Sequence, residues 1–488
     1  MIISSAYKIR RQIMADIIKT VADEVSVTNE DKTETVDNTT FKENKMGVLP
    51  VKKLIISMSL PMMISMLVQA LYNVVDSIFV AQVSKDALAA VTYAFPLQTM
   101  MIAVGSGTGV GINALLSKSL GEKKFERANA AANNGLFLTI LSALVFLGVG
   151  LFGAGPFIRS QVSNPQIVDY GTTYLGICCS FSFGIFFQMT LERLLQSTGL
   201  TIFSMISQGT GAVINIIFDP ILIFGYFGFP KLGVAGAAYA TVLGQCVAAV
   251  LGLILNLKFN KEIKFSLKGI FKPEGKIIKR IYVVGIPSII MLSIGSVMTY
   301  LMNQILSTFS TMATTVFGAY FKLQSFFFMP IFGLNNGLIP VLAYNYGAKK
   351  KERIREALGF AIKLAVGIML VGTISFQLIP KVLLGFFKPN AEMLDIGIPA
   401  LRIISLSFPI AGACIAMGSV FQAFSKSIYA LVISVGRQLV ALIPAAWLLA
   451  QTGVVTNVWW AFLIAECVSL MLSLFFFRKV HKNIIDTL

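Results

Sequence analysis

The chain has 488 residues, of which 56% are apolar and only 13% charged, and its net charge is +17. Soluble domains carry roughly 25% charged residues, so an ordinary soluble enzyme is excluded and an all-α integral membrane protein is expected. The single histidine, His481 near the C-terminus, rules out an internal imidazole base or histidine metal site, and the Lys and Arg clusters between apolar runs argue for membrane topology rather than nucleic-acid binding.

Taken in chain order, residues 1–50 read as a cytoplasmic extension. Its stretch 21–47 is polar, mixed in charge and poor in large apolar residues, the composition of disorder. Residues 1–20 mix isoleucines with Lys8, Arg10, Arg11 and Lys19, which suits either a surface helix or a plain tail, and no cleavable signal pattern follows. A membrane span needs about 20 apolar residues. Twelve such spans are predicted, near 54–80, 87–117, 128–155, 170–192, 201–226, 233–257, 281–308, 313–345, 357–386, 396–423, 427–450 and 456–477. They group as an N-lobe (51–258), a basic cytoplasmic linker (259–280), a C-lobe (281–480) and a tail (481–488). With both termini inside, the inner segments hold 24 Lys and Arg and the outer segments five, which sets the orientation.

The chain also repeats itself at an offset of 226 residues. Pro61 falls on Pro287, Leu97-Gln98 on Leu323-Gln324, Gly107 and Gly111 on Gly333 and Gly337, and Gln196 on Gln422. The inner loops 121–127 and 347–353 coincide as well. Six spans per half return the second half in the orientation of the first. The expected fold is therefore two pseudo-symmetric six-helix lobes, with cargo handled between them.

Ionisable and polar residues within spans are costly and mark function. The first span carries Ser65, Gln69, Tyr72 and Asp76 on one face, with Asn73 beside them, and the fifth carries Gln208, Gly211, Asn215 and Asp219. Pro220 follows Asp219 and removes a donor from the carbonyl of residue 216; it and Pro61 are candidate hinges. Two carboxylates, an amide and a freed carbonyl make an oxygen-rich site for Na⁺ or a proton, to which Thr241 could add a hydroxyl. Asp76 and Asp219 also admit a plainer reading, as carboxylates at span ends. Their repeat partners are Met302 and Ala445, so the second half lacks both acids. Its in-span charges are mostly basic: Lys322, Lys363, Arg402 and Arg437, with Glu466 the exception. Lys322, near Gln324, is expected to face the cavity, and the other bases to snorkel or pair. Glu192 and Arg193 are expected as an interfacial pair at an inner span end.

The run 105–111 is glycine-rich but lacks a Gly-Lys-Ser/Thr ending, and reads as a helix-packing surface. Cys178, Cys179, Cys246, Cys414 and Cys467 all lie in apolar runs and read as small buried residues. No nucleotide, metal-hydrolase or nucleophile motif is present, so neither an enzyme nor a bound cofactor is expected.

These residues resemble a known family. Leu71-Tyr-Asn-Val-Val-Asp-Ser-Ile-Phe-Val80, Asn215-Ile-Ile-Phe-Asp-Pro220, Gly233-Val-Ala-Gly-Ala-Ala-Tyr-Ala-Thr241 and Asn345-Tyr-Gly347 look like those of a multidrug and toxic compound extrusion (MATE) transporter, across residues 50–480. The resemblance is to the DNA-damage-inducible F (DinF-like) bacterial branch, and it implies a cation-coupling site at Asp76, Asn215, Asp219 and Thr241. A second bacterial branch uses a Glu in span seven and an Asp in span ten. Here span seven offers Ser296, Asn303 and Gln304, and span ten holds no acid. The family implies a multi-pass protein of a bacterial cell membrane, expected as a monomer. It would export amphipathic organic cations in exchange for H⁺ or Na⁺, with Gln69, Tyr72, Asn73, Gln208, Lys322 and Gln324 as candidate cavity residues. The nearest alternative is a flippase for lipid-linked oligosaccharide precursors of the same superfamily. Such a protein needs cationic cavity residues, which the first half does not supply.

Overall fold

The computed structural model describes residues 43–387 and 389–488, so most of the extension expected over residues 1–50 lies outside the described residues; its last part departs from the disorder expected up to residue 47, since Lys45–Val48 is a short helix capped by Asn44. Asn44–Leu488 forms a single compact unit, all-helical with no strand among the described residues. Among the described residues ten helices are long and apolar enough to cross a bilayer, and two bent helix pairs bring the total to twelve. Each falls on a predicted span. The first is Val51–Val83, the second Lys85–Gly121, the fifth Thr201–Phe224, the sixth Val234–Phe259, the seventh Gly275–Ser307 and the eighth Thr311–Gly347.

The repeat extends to backbone detail. Span four is Pro165–Ser180 with Phe183–Ser197, bent by 45°, and span ten is Ala391–Ser405 with Phe408–Ala423, bent by 46°. Apolar length predicted one span at each place. It could not show that the chain breaks its ladder at Phe181-Ser182 and again at Leu406-Ser407. The left-handed loop residues Lys123 (φ 57°) and Lys349 (φ 56°) are repeat mates, as are Gly199 (φ 93°) and Ser425 (φ 59°).

The halves meet through crossed pairs, the first span on the eighth and the second on the seventh. Glycines permit backbone contact at these crossings. A methyl group on Gly111 would sit 2.2 Å from the Ile281 carbonyl oxygen, and one on Gly337 would sit 2.7 Å from Cα of Ser59. Farther along, Gly121 and Gly347 are pressed against the backbones of Tyr344 and Lys118. These approaches all lie toward the side carrying the basic loops, where the halves are closed. The glycine run 105–111 is thus a packing surface, as its repeat mates suggested.

Residues 44–49 strap this closed side. Asn44 Nδ2 donates to the Thr198 carbonyl (2.9 Å) and to Glu262 Oε1 (2.7 Å), both on the first half and its linker. The second half grips the same segment: Asn345 donates to the Met46 carbonyl (3.0 Å), Lys350 to Gly47 (3.0 Å) and Arg353 to Leu49 (2.7 Å). Arg193 forms another bridge. It is buried, and its guanidinium donates to Gln196 in its own half and to Asn336 of the other (2.9 and 3.0 Å). Glu192 is also buried and accepts from Gln188. The expected interfacial pair is therefore two separately bonded charges inside the protein.

Candidate cation-binding site

The first, fifth and sixth spans pack together within the first half. Gly211 and Gly244 set the closeness of the fifth and sixth: a methyl group on Gly244 would lie 2.6 Å from the Gly211 carbonyl oxygen. One turn beyond that contact Asn215 meets the sixth span, donating from Nδ2 to Thr241 Oγ1 (3.3 Å) and to Asp219 Oδ1 (3.4 Å). Asp219 is 0% exposed and Asn215 3%. Asp76, from the first span, brings its carboxyl group within hydrogen-bonding reach of that of Asp219. The fifth span runs as continuous helix through Pro220, and the first through Pro61.

Three acceptor atoms in this cluster have no donor: Asp76 Oδ1, Asp219 Oδ2 and Asn215 Oδ1 are all buried and unpartnered. Buried polar atoms are almost always satisfied, and two adjacent carboxylates repel unless a proton or cation lies between them. An all-oxygen donor set is what Na⁺ accepts, and a carboxyl pair is what a shared proton needs. The four residues Asp76, Asn215, Asp219 and Thr241 are thus brought together, and the plainer reading of isolated span-end carboxylates does not describe them.

A second polar chain continues along the same helices. Ser65 Oγ donates to Gln208 Oε1, and Gln208 Nε2 donates to Gln69 Oε1 (2.9 Å). Tyr72, Tyr174 and Cys178 lie close enough to Asp76 to feel its charge. Gln98 Nε2 donates to Tyr174 Oη (3.3 Å) and to Cys178 Sγ (3.6 Å). Gln98, Tyr174 and Cys178 were not among the sequence candidates. The one signal for them was the repeat pairing of Gln98 with Gln324. Asn73 is exposed and stays outside the cluster.

The remaining candidates lie in the second half. Gln324 accepts from Tyr320 Oη (2.5 Å). Lys322 is exposed; it shares a helical face with Phe326, Gly333 and Gly337, and the last two pack on the first span. Lys363 and Arg402 are exposed too, so of the four in-span bases only Arg437 is engaged inside the bundle.

The MatE family model matches residues 61–221 and again 287–448, two copies whose starts lie at the repeat offset. The chain belongs to the MatE family. It is similar to the multidrug export protein MepA of Staphylococcus haemolyticus, 26% identical over 434 residues (88% of this chain, 94% of the relative). MepA of Staphylococcus aureus strain MRSA252 is 26% identical over 420 residues, covering 86% and 91%. Among solved structures it resembles an outward-facing multidrug resistance MATE transporter of the MOP superfamily, with TM-score 0.86, 25% identity and coverage of 92% and 100%. It also resembles a Pyrococcus furiosus MOP superfamily transporter whose binding pocket is described as having reverse polarity, suggesting a different function (TM-score 0.83, 25% identity, 92% and 99% covered). This MATE transporter is accordingly a multi-span membrane protein with the family's all-helical fold.

Proposed function

We propose that the protein is a multidrug exporter that couples outward movement of amphipathic organic cations to inward movement of H⁺ or Na⁺. The observation that carries this reading is the trio of buried, unpartnered oxygens on Asp76, Asn215 and Asp219. The multidrug export relatives support the cargo class. The cation would enter from the side opposite the basic loops, bind between Asp76 and Asp219, and cancel their repulsion. A lobe so neutralised can repack. Pro61 in the first span and Pro220 in the fifth lack the donors that would stiffen those helices, so bending there would close the outer cleft and release cargo. Opening on the basic side then breaks the Gly111, Gly337 and Arg193 contacts and lets the cation leave inward.

Growth of a drug-sensitive bacterium on lipophilic cations, with and without the gene, tests the proposal. Asp219→Asn should reach the membrane in normal amount and give no protection; protection equal to that of the unmodified chain would sink it. A Lys322 that faced the cargo would support the rival flippase, for cargo with an anionic head. Transport of a lipid-linked pyrophosphate analogue without drug export would favour that rival.

A further inference from the structure

The second half has its own ionic pocket within spans eleven and twelve. Arg437 on span eleven donates from Nη1 to Glu466 Oε1 on span twelve (2.8 Å). Glu466 is 7% exposed, and its other oxygen, Oε2, is buried with no donor. Ser469 and Ser473 follow Glu466 at spacings of three and four on the same helical face, and Ser473 Oγ is likewise buried and unpartnered. Tyr320 of span eight and Cys414 of span ten lie close enough to feel both charges. Gln438 donates to Ser434 (2.9 Å), and Gly295 of span seven approaches its Oε1.

Spans eleven and twelve are the repeat mates of spans five and six, which hold Asn215, Asp219 and Thr241. Arg437 falls on Gly211 at the repeat offset, and the place of Asp76 is taken by Met302. Gln324, the mate of Gln98, again pairs with a tyrosine. The span-eleven segment Gly436–Leu442 is a π-helix, an insertion geometry that often marks functional positions in helices. Each lobe thus holds a polar pocket on its last two spans. One pairs two carboxylates, the other a carboxylate with a guanidinium attached to the chain.

We infer that the C-lobe pocket is a second cation site whose ligand is permanently supplied by the side chain of Arg437, so that Glu466 is a cation receptor that does not exchange its ion. The tether leaves the N-lobe as the exchanging site and keeps this C-lobe pocket neutral throughout the cycle. Glu466 is the only acid within the C-lobe span cores among the described residues, so the guanidinium also denies cationic cargo a competing carboxylate. The comparison between lobes rests on the proposed N-lobe site, but the existence of the C-lobe receptor does not.

If the tether is cut, a free guanidinium should replace it. The test uses the purified full chain with Asp219→Asn in every sample, so that failure of the N-lobe reading cannot affect the outcome. Arg437→Ala is titrated with methylguanidinium chloride and its apparent Tm followed. A saturable rise of about 2–4 °C is expected at millimolar concentration. No such rise is expected with Arg437 intact, or in Arg437→Ala with Glu466→Gln. Equal shifts in all three samples, or none in Arg437→Ala, would overturn the inference. Should Arg437→Ala fail to fold, Arg437→Met alone should also be unstable and Arg437→Met with Glu466→Gln should recover a monodisperse, folded protein. Lack of recovery would equally overturn it.

Discussion

Gly111→Ala isolates the contact that holds the basic side shut. The added methyl carbon would lie 2.2 Å from the Ile281 carbonyl oxygen and 3.1 Å from Ile281 Cγ2. Close C···O contacts occur at about 3.3 Å or more, so the second and seventh spans must separate by about 1 Å at that crossing. A gap of that size forfeits about a quarter to a half of the dispersion energy of each contact along the seam. Overpacking of this kind costs about 1–3 kcal/mol, and here it falls on the closed arrangement alone, because the two spans part when that side opens. The closed population should therefore drop by about 5–150-fold relative to the open one. The assay is labelling of a single cysteine at Ser59, which is 1% exposed and faces Gly337 across the same interface, in a chain otherwise free of cysteine. A membrane-impermeant maleimide applied from the basic side should react at least about fivefold faster in the variant. An unchanged labelling rate together with an unchanged Tm would refute the idea that these glycines set the lobe contact.

Thr241→Val removes the acceptor of the Asn215 amide while keeping the side-chain shape; losing about 1 kcal/mol there should raise the cation concentration giving half-maximal transport by about fivefold, read from flux against ion concentration. Arg353→Ala loosens the strap's hold on the second half, breaking the bonds to Leu49 (2.7 Å) and Met46 (3.2 Å) and the one that orients Asn345 (3.0 Å). A loss of about 1.5–3 kcal/mol should appear as a lowered Tm and faster proteolysis before residue 51. Glu122 gives a pH signature outside the bilayer. Burial opposes its charge, but hydrogen bonds from Lys124 and Arg127 outweigh that and hold the carboxyl below its ordinary range. A depressed carboxylate contributes stability above its unfolded pKa and loses it as pH falls through the folded value. Glu122→Gln should thus cost about 0.5–1 kcal/mol at pH 7, a difference that shrinks below about pH 4.5 and is measured by thermal unfolding at both pH values.

Most of the architecture was legible because the bilayer imposes it. Span length, basic loops and a constant repeat offset are properties of a single sequence, and each predicted span has its helix. The acid cluster was legible for the same reason: Asp76 and Asp219 stand out where water is scarce, and spacings of three and four put each on a polar face. What a face packs against is a different question. Lys322, Lys363 and Arg402 sit within apolar runs like Arg437, yet only Arg437 points into the bundle, because Glu466 arrives from another helix 29 residues later. Arg193 looked like a span-end charge, since its partner Asn336 lies 143 residues away. Residues 44–47 carry the composition of disorder yet are ordered, because most of the strap's contacts are through backbone carbonyls, which carry no sequence signal. The bends at 181–182 and 406–407 are likewise backbone events, visible only as a match between two halves that share them.

The central claim is that cation binding between Asp76 and Asp219 drives export. Its most direct test is dye flux into proteoliposomes under an imposed H⁺ gradient alone and then an Na⁺ gradient alone, comparing the unmodified chain with Asp219→Asn. The account predicts that at least one gradient drives flux through the unmodified protein, and that Asp219→Asn, folded and still binding dye, responds to neither. Gradient-driven flux of undiminished size in Asp219→Asn would contradict it.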